Sequence, residues 1–163
     1  MSAGKINQME RGAEFSECRK FRYALWRIWD RSAPFIMFVG LNPSTANENT
    51  DDATIRSIIR IAKANGYGGV YMMNCFPFIT TDPDKLDTTG DIEYNDFRLR
   101  KVARLCNSIV FAWGSFKVVK ETGRDKELTE MFPNAYAISI NKDGSPKHSL
   151  YCKTDTNFVK WSQ

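Results

Sequence analysis

The stretch Phe35-Ile-Met-Phe-Val-Gly-Leu-Asn-Pro-Ser44 decides how this chain folds. Its apolar run is too short for a helix, and its polar groups, Asn42 and Ser44, stand only at the carboxyl end. A strand buried on both faces reads this way, because neither face tolerates a polar side chain. Three more stretches have the same form: Gly69-Val-Tyr-Met-Met-Asn-Cys-Phe-Pro77, Ser108-Ile-Val-Phe-Ala-Trp-Gly-Ser115 and Asn134-Ala-Tyr-Ala-Ile-Ser-Ile-Asn141. Strands of this kind are the parallel strands of α/β sheets, whose carboxyl ends form the crevice where ligands bind. Asn42, Asn74, Ser115 and the His148 segment are therefore expected to share one pocket.

Around these strands the spacing changes period. Ile55, Ile58, Ile59 and Ala62 recur at helical spacing, with Thr50 or Asp51 as the expected N-cap and Gly66 as the stop. Two more helices are expected, over residues 92–105 and 116–130. The alternation of Phe21, Tyr23 and Leu25 predicts an antiparallel edge strand ahead of Phe35. Residues 1–14 are expected to fray, and 15–163 to form a single domain. The expected architecture is an α/β three-layer sandwich: a central, mainly parallel four-stranded sheet plus the N-terminal antiparallel edge strand.

Composition narrows the function classes. The 163 residues suffice for one core without disulfides or metal, and 42% apolar with 26% charged residues is ordinary for a globular protein. No run is long enough to span a bilayer, and the N-terminus lacks a signal-peptide apolar core. Cys18, Cys75, Cys106 and Cys152 form no Cys-x-x-Cys pair, so free thiols in a reducing cytoplasm are expected rather than a metal site. The net charge of +4 is mild. Two basic clusters, Arg19 to Arg31 and Arg98 to Arg104, either track phosphates or are solvated faces.

In order along the chain, the strand endings resemble the uracil-DNA glycosylase superfamily. Gly40-Leu-Asn-Pro-Ser44 is similar to its first catalytic motif, Gly-x-(Asp or Asn)-Pro, and Gly69-Val-Tyr-Met-Met-Asn74 to the strand whose last Asn reads the flipped base. Val110-Phe-Ala-Trp-Gly-Ser115 resembles the next strand, and Lys147-His-Ser-Leu150 the loop carrying a catalytic His and a Leu wedge. The match covers residues 35–151 and looks closest to a bacterial and phage family of unassigned function within that superfamily. The resemblance implies a DNA glycosylase-like enzyme that hydrolyses the N-glycosidic bond of a flipped uracil-like or 5-modified pyrimidine base. It implies a monomer acting on single- or double-stranded DNA, with no cofactor, metal or membrane. Asn42 and His148 would be catalytic, Asn42 positioning a water and neutral His148 donating to the departing base. Asn74, Leu41, Ser44, Phe76 and Ser115 would bind the base. Pro43, Lys147, Ser149, Leu150, Trp113 and Gly114 would contact DNA.

Three departures qualify what is implied. Ser44 replaces a Tyr that excludes 5-methyl groups, so the pocket has room for 5-substituents. No aromatic residue lies between Pro43 and Ile55, leaving Phe76 or Phe78 to stack on the base. No proline follows His148, so that loop is less constrained. Two other readings stay open: an N-glycosidase of free nucleotides or nucleosides, and a non-catalytic module that binds a modified base. Bland roles also compete: Asn42-Pro43 as a turn, His148 as a surface residue, Asp51 and Asp52 as helix caps. Asp52 and Thr54 are outlying candidates for the pocket rim.

Overall fold

In a computed structural model, residues 8–161 are described. Seven strands make one mixed sheet: β1 (Glu10–Phe15), β2 (Arg22–Ile28), β3 (Phe35–Gly40), β4 (Gly69–Asn74), β5 (Ser108–Phe111), β6 (Tyr136–Ala137) and β7 (Val159–Lys160). Their order across the sheet is β1-β2-β4-β3-β5-β6-β7. Helices α1 (Ala53–Ala64), α2 (Ile92–Ala103), α3 (Lys117–Glu121) and α4 (Arg124–Met131) connect them.

The expected four-stranded, mainly parallel sheet is corrected by this topology. The pairs β3/β4, β3/β5 and β5/β6 are parallel, but β1/β2, β2/β4 and β6/β7 are antiparallel. Both flanks are therefore antiparallel. The strand at Arg22–Ile28 is not an edge, because β1 covers it. All of β1 but Phe15 falls within the stretch 1–14 expected to fray; residues 1–7 of that stretch lie outside the described residues. Its text, Glu-Arg-Gly-Ala-Glu-Phe, is polar because an edge strand with a solvated face needs no apolar run. The fourth predicted strand shrinks to two residues, Tyr136 and Ala137.

Alternation along β3 divides the core. Ile36 and Phe38 pack with Ile55, Ile58 and Ile61 of α1; Met37 and Val39 pack with Leu99 and Val102 of α2, Val119 of α3 and Leu128 of α4. Successive strand residues point to opposite faces, so helices cover both sides of the sheet. Each such buried side chain contributes about 1.5–3 kcal/mol relative to exposure. The helix expected over residues 116–130 is broken, because Gly123 adopts φ +73°, a left-handed conformation that only glycine enters freely. The cap of α1 is Asp52, one residue later than expected, and its carboxylate accepts from the Ile55 N–H at 2.9 Å. No helix among the described residues is long and apolar enough to cross a membrane.

Two arginines of β2 hold the segment between β3 and α1. Arg27 is wholly buried; its Nε donates to Asp51 Oδ1 at 2.9 Å, and its other nitrogens donate to the Trp26, Asn47 and Thr50 carbonyls. Arg22 donates from Nη1 to the Ala46 carbonyl at 3.0 Å.

Candidate functional site

The carboxyl ends of β3 and β4 are zipped together past the last ladder pair. Cys75 N–H donates to the Gly40 carbonyl at 2.8 Å, Phe76 N–H to Leu41 at 3.1 Å and Thr80 N–H to Pro43 at 3.2 Å. Asn42 closes the zipper from its side chain: its amide nitrogen donates to the Pro43 and Thr80 carbonyls, each at 2.9 Å. The Asn-Pro turn is thus built by the Asn itself, which leaves the amide oxygen as the group able to accept from a ligand or water.

Beyond this zipper lies a cavity of about 150 Å³. The turn Gly40–Ser44, Asn74 at the end of β4, Asp52 and Thr54 at the start of α1, and His148 all line it, with Arg22 and Phe116. Asn42, Asn74 and His148, distant in sequence, do meet there. Leu41, Pro43 and Ser44 line it as well. A wider opening of about 830 Å³ adjoins it, sharing Thr54, Phe116 and His148. Gly114, Ser115, Lys147 and Leu150 belong to that opening and not to the small cavity.

Asn74 is the most unusual residue of the cavity. It is 1% exposed, and neither its Nδ2 nor its Oδ1 has a partner. Its backbone is fixed: the carbonyl accepts from Asn95 Nδ2 of α2 at 2.9 Å. An orphaned buried amide costs about 1–3 kcal/mol, and native proteins seldom leave one without a reason.

His148 arrives through a second zipper. Gly114 N–H donates to the Pro146 carbonyl at 2.9 Å, pinning the chain before His148 against the end of β5. Gly114 adopts φ +77° there and leaves 3.5 Å between its Cβ direction and the His148 Cβ. His148 Nδ1 accepts from the Leu150 N–H at 3.1 Å, so the neutral ring carries its proton on Nε2. Burial holds the imidazole below its usual pKa, against the opposing charge of Asp52. Burial likewise pulls Arg22 down to about 10, again opposed by Asp52, so the guanidinium is still a cation at neutral pH.

Other expected site residues lie elsewhere. Phe76 is buried in the core beside Leu99 and Val102 rather than in the cavity. Phe78 packs edge-on against Phe21 at 5.9 Å. Phe116, at the start of α3 and 42% exposed, is the aromatic ring at the rim instead. Trp113 is buried against Phe111 and Trp161, and Ser149 is buried too, so neither is presented to a strand of nucleic acid. The first basic cluster is split by the fold: Arg22 and Arg27 are buried and Arg31 pairs with Glu10, while Arg19 and Lys20 are exposed. Arg100 and Lys101 of α2 and Arg104 at its C-cap are exposed and line neither the cavity nor the wider opening.

Residues 22–150, most of the chain, match the family described as "Protein of unknown function (DUF1643)". The chain belongs to the DUF1643 family. No curated protein and no solved structure matches it. The resemblance to the uracil-DNA glycosylase superfamily is thereby corrected, because the matching family is one of unknown function and nothing links it to that superfamily. The physical reason is that Gly-x-Asn-Pro and Trp-Gly endings satisfy any strand that must turn sharply at a buried carboxyl end. In this DUF1643 chain the Asn42 side chain performs that local task.

Proposed function

We propose that the protein is a hydrolase of N-glycosidic bonds that takes one pyrimidine-sized base of a nucleic-acid strand into the cavity at the ends of β3 and β4. The observation that carries this reading is the Asn74 amide, buried in the cavity wall with neither atom partnered. An edge with an N–H beside a carbonyl, as on a nucleobase, would engage both atoms at once. Size agrees: drug-sized ligands need about 300–1,000 Å³, whereas about 150 Å³ suits a single ring. The wider opening, with Lys142 and Lys147, has room for the sugar and flanking nucleotides. Phe116 at the rim supplies a stacking face, worth about 1–3 kcal/mol per base.

The chemistry asks for a held water and a stabilised leaving group. Asp52 brings a carboxylate to the cavity, a better acceptor for the attacking water than the Asn42 amide. Neutral His148, with its proton on Nε2, is suited to donate toward the departing base. Ser44 is a small residue of the cavity wall, consistent with a ring that carries a 5-substituent.

The test uses single- and double-stranded oligonucleotides carrying uracil, thymine mismatches or 5-modified pyrimidines, treated with alkali after incubation, beside free nucleosides. Cleavage at the base position in the oligonucleotides is expected, and Asn74→Asp should change which base is released. Release from nucleosides alone would remove the strand from the reading. Binding of a base with no release from any substrate would overturn the hydrolase and leave a binding module.

A further inference from the structure

Two buried arginines of β2 sit five residues apart, and they are not alike. Arg27 is surrounded by acceptors: Asp51 and the carbonyls of Gly12, Trp26, Asn47 and Thr50. Arg22, 3% exposed, gives Nη1 to Ala46 and has no partner for Nε. Arg22 also lines the cavity that holds the unpartnered Asn74 amide. A guanidinium carries five N–H donors and no acceptor. Burying its charge is costly unless acceptors complete it. Arg27 is completed by the fold. Arg22 is not.

We propose that Arg22 is a further catalytic residue of this site: a fixed cation that touches an oxo group of the bound base and holds the negative charge the base acquires as the glycosidic bond breaks. This rests on the N-glycosidase reading. In that step the C1′–N bond breaks and its electron pair passes to the base, shared between ring nitrogen and exocyclic oxygen. Water oxygen forms the new bond to C1′, and the proton water gives up neutralises the base anion, so H and OH add across the bond. Arg22 keeps its own proton throughout. A cation already in place where charge develops, shielded from water, is worth far more than the same cation in solvent. Because Arg22 only donates, a base presenting an amino group to it would leave donor facing donor.

The test compares release of uracil and of 5-fluorouracil, the better leaving group, from matched single-stranded oligonucleotides. In Arg22→Met, kcat for uracil should fall about 100–1,000-fold, the usual loss for one such donor. The fall should be smaller for 5-fluorouracil, with KM little changed, and Arg22→Lys should restore part of it. A loss equal for both bases, or an undiminished rate, overturns the proposal, because a residue that merely clamps Ala46 has no reason to sense the leaving group. On the wild-type protein, 5-fluorouracil bound in the cavity should ionise at lower pH than in water, read from its ultraviolet spectrum. No such shift also overturns the proposal, and this arm needs no variant to fold. Failure of the wild-type protein to release either base is a different result: it sinks the N-glycosidase reading itself.

Discussion

Gly40 and Asn74 are paired across β3 and β4, and the side chains of Asn74 and Met72 close over the glycine. The parallel register pairs the two residues, and a Cβ on Gly40 would lie 3.0 Å from Asn74 Oδ1 and 2.5 Å from Met72 Cε. The glycine here is a matter of space, since the orphaned amide and the thioether occupy the room a methyl group would take. In Gly40→Ala, Met72 must move and the amide must turn, an overpacking that typically costs about 1–3 kcal/mol. A lower urea midpoint and loss of base release are expected together. A variant with wild-type midpoint and release would show that this contact does not shape the site.

Asp52 has two tasks that substitution can separate. Its carboxylate caps α1 through Ile55 N–H and lines the cavity. Asp52→Asn keeps a capping oxygen and removes the charge, so stability should hold while base release falls. Asp52→Ala should also lose the cap, about 1 kcal/mol. Thermal unfolding beside the release assay checks both; full activity in Asp52→Asn would take the carboxylate out of the chemistry.

His148 is the sole histidine, so its imidazole resonance can be followed without assignment. Burial, partly offset by Asp52, sets its folded pKa below the usual value near 6.5. The unfolded chain therefore takes up the proton first as pH falls. The stability contributed by the neutral ring is full above about pH 6.5 and is lost as pH drops through the lower folded value. Proton NMR should show a midpoint below 6.5, and Asp52→Asn should move it lower still. A midpoint at or above 6.5 would contradict the burial of the ring.

Asp51 shows the complementary sign. Burial raises its pKa, but the hydrogen bond and charge of Arg27, with the charge of Arg11, outweigh that and hold the carboxyl below its usual range. A depressed carboxylate contributes stability above the unfolded value near 3.9, lost as pH falls through the folded one. Urea midpoints should therefore decline below about pH 4 in the wild type and less steeply in Asp51→Asn. At neutral pH Asp51→Ala should cost about 3 kcal/mol, the low end for a broken buried pair, because carbonyls still accept from Arg27. Equal midpoints for wild type and Asp51→Ala would show the pair to be idle.

Phe116 offers the reverse case, a ring whose loss should spare the fold. It is exposed at the rim, and surface substitutions usually change stability by no more than about 0.5 kcal/mol. Phe116→Ala should unfold like the wild type yet bind a single-stranded oligonucleotide about 1–3 kcal/mol more weakly, the range for one stacked base. Fluorescence anisotropy measures the difference, and unaltered affinity would remove Phe116 from the site.

The parallel centre of the sheet was legible because burial on both faces forces an unbroken apolar run, which Phe35–Gly40 and Gly69–Asn74 display. The meeting of Asn42 and Asn74 followed from that, since the carboxyl ends of neighbouring parallel strands adjoin; His148 is brought to them by the hydrogen bond from Gly114 to Pro146. Less readable were the flanks. Glu10–Phe15 looks like a polar tail because its strand character lies in its pairing with β2 rather than in its own residues. The superfamily kinship inferred from four short endings did not hold either, because such endings answer a local turning problem common to many folds. Phe116 is unreadable as a rim residue from the sequence, because it stands at the start of α3, far along the chain from Asn42, and only folding carries it to the cavity.

Local chemistry, then, was enough to assign the central strands β3, β4 and β5 and the side chains standing at their ends, because each depends on residues adjacent in the chain. Arg22 and Arg27 show where that stops. In sequence they are two members of one basic cluster. Only the fold, by burying both and surrounding just one with acceptors, makes Arg27 a clamp and leaves Arg22 with an unpaired donor at the cavity. Hydrogen-bond completion is decided by groups that are distant along the chain and near only after folding.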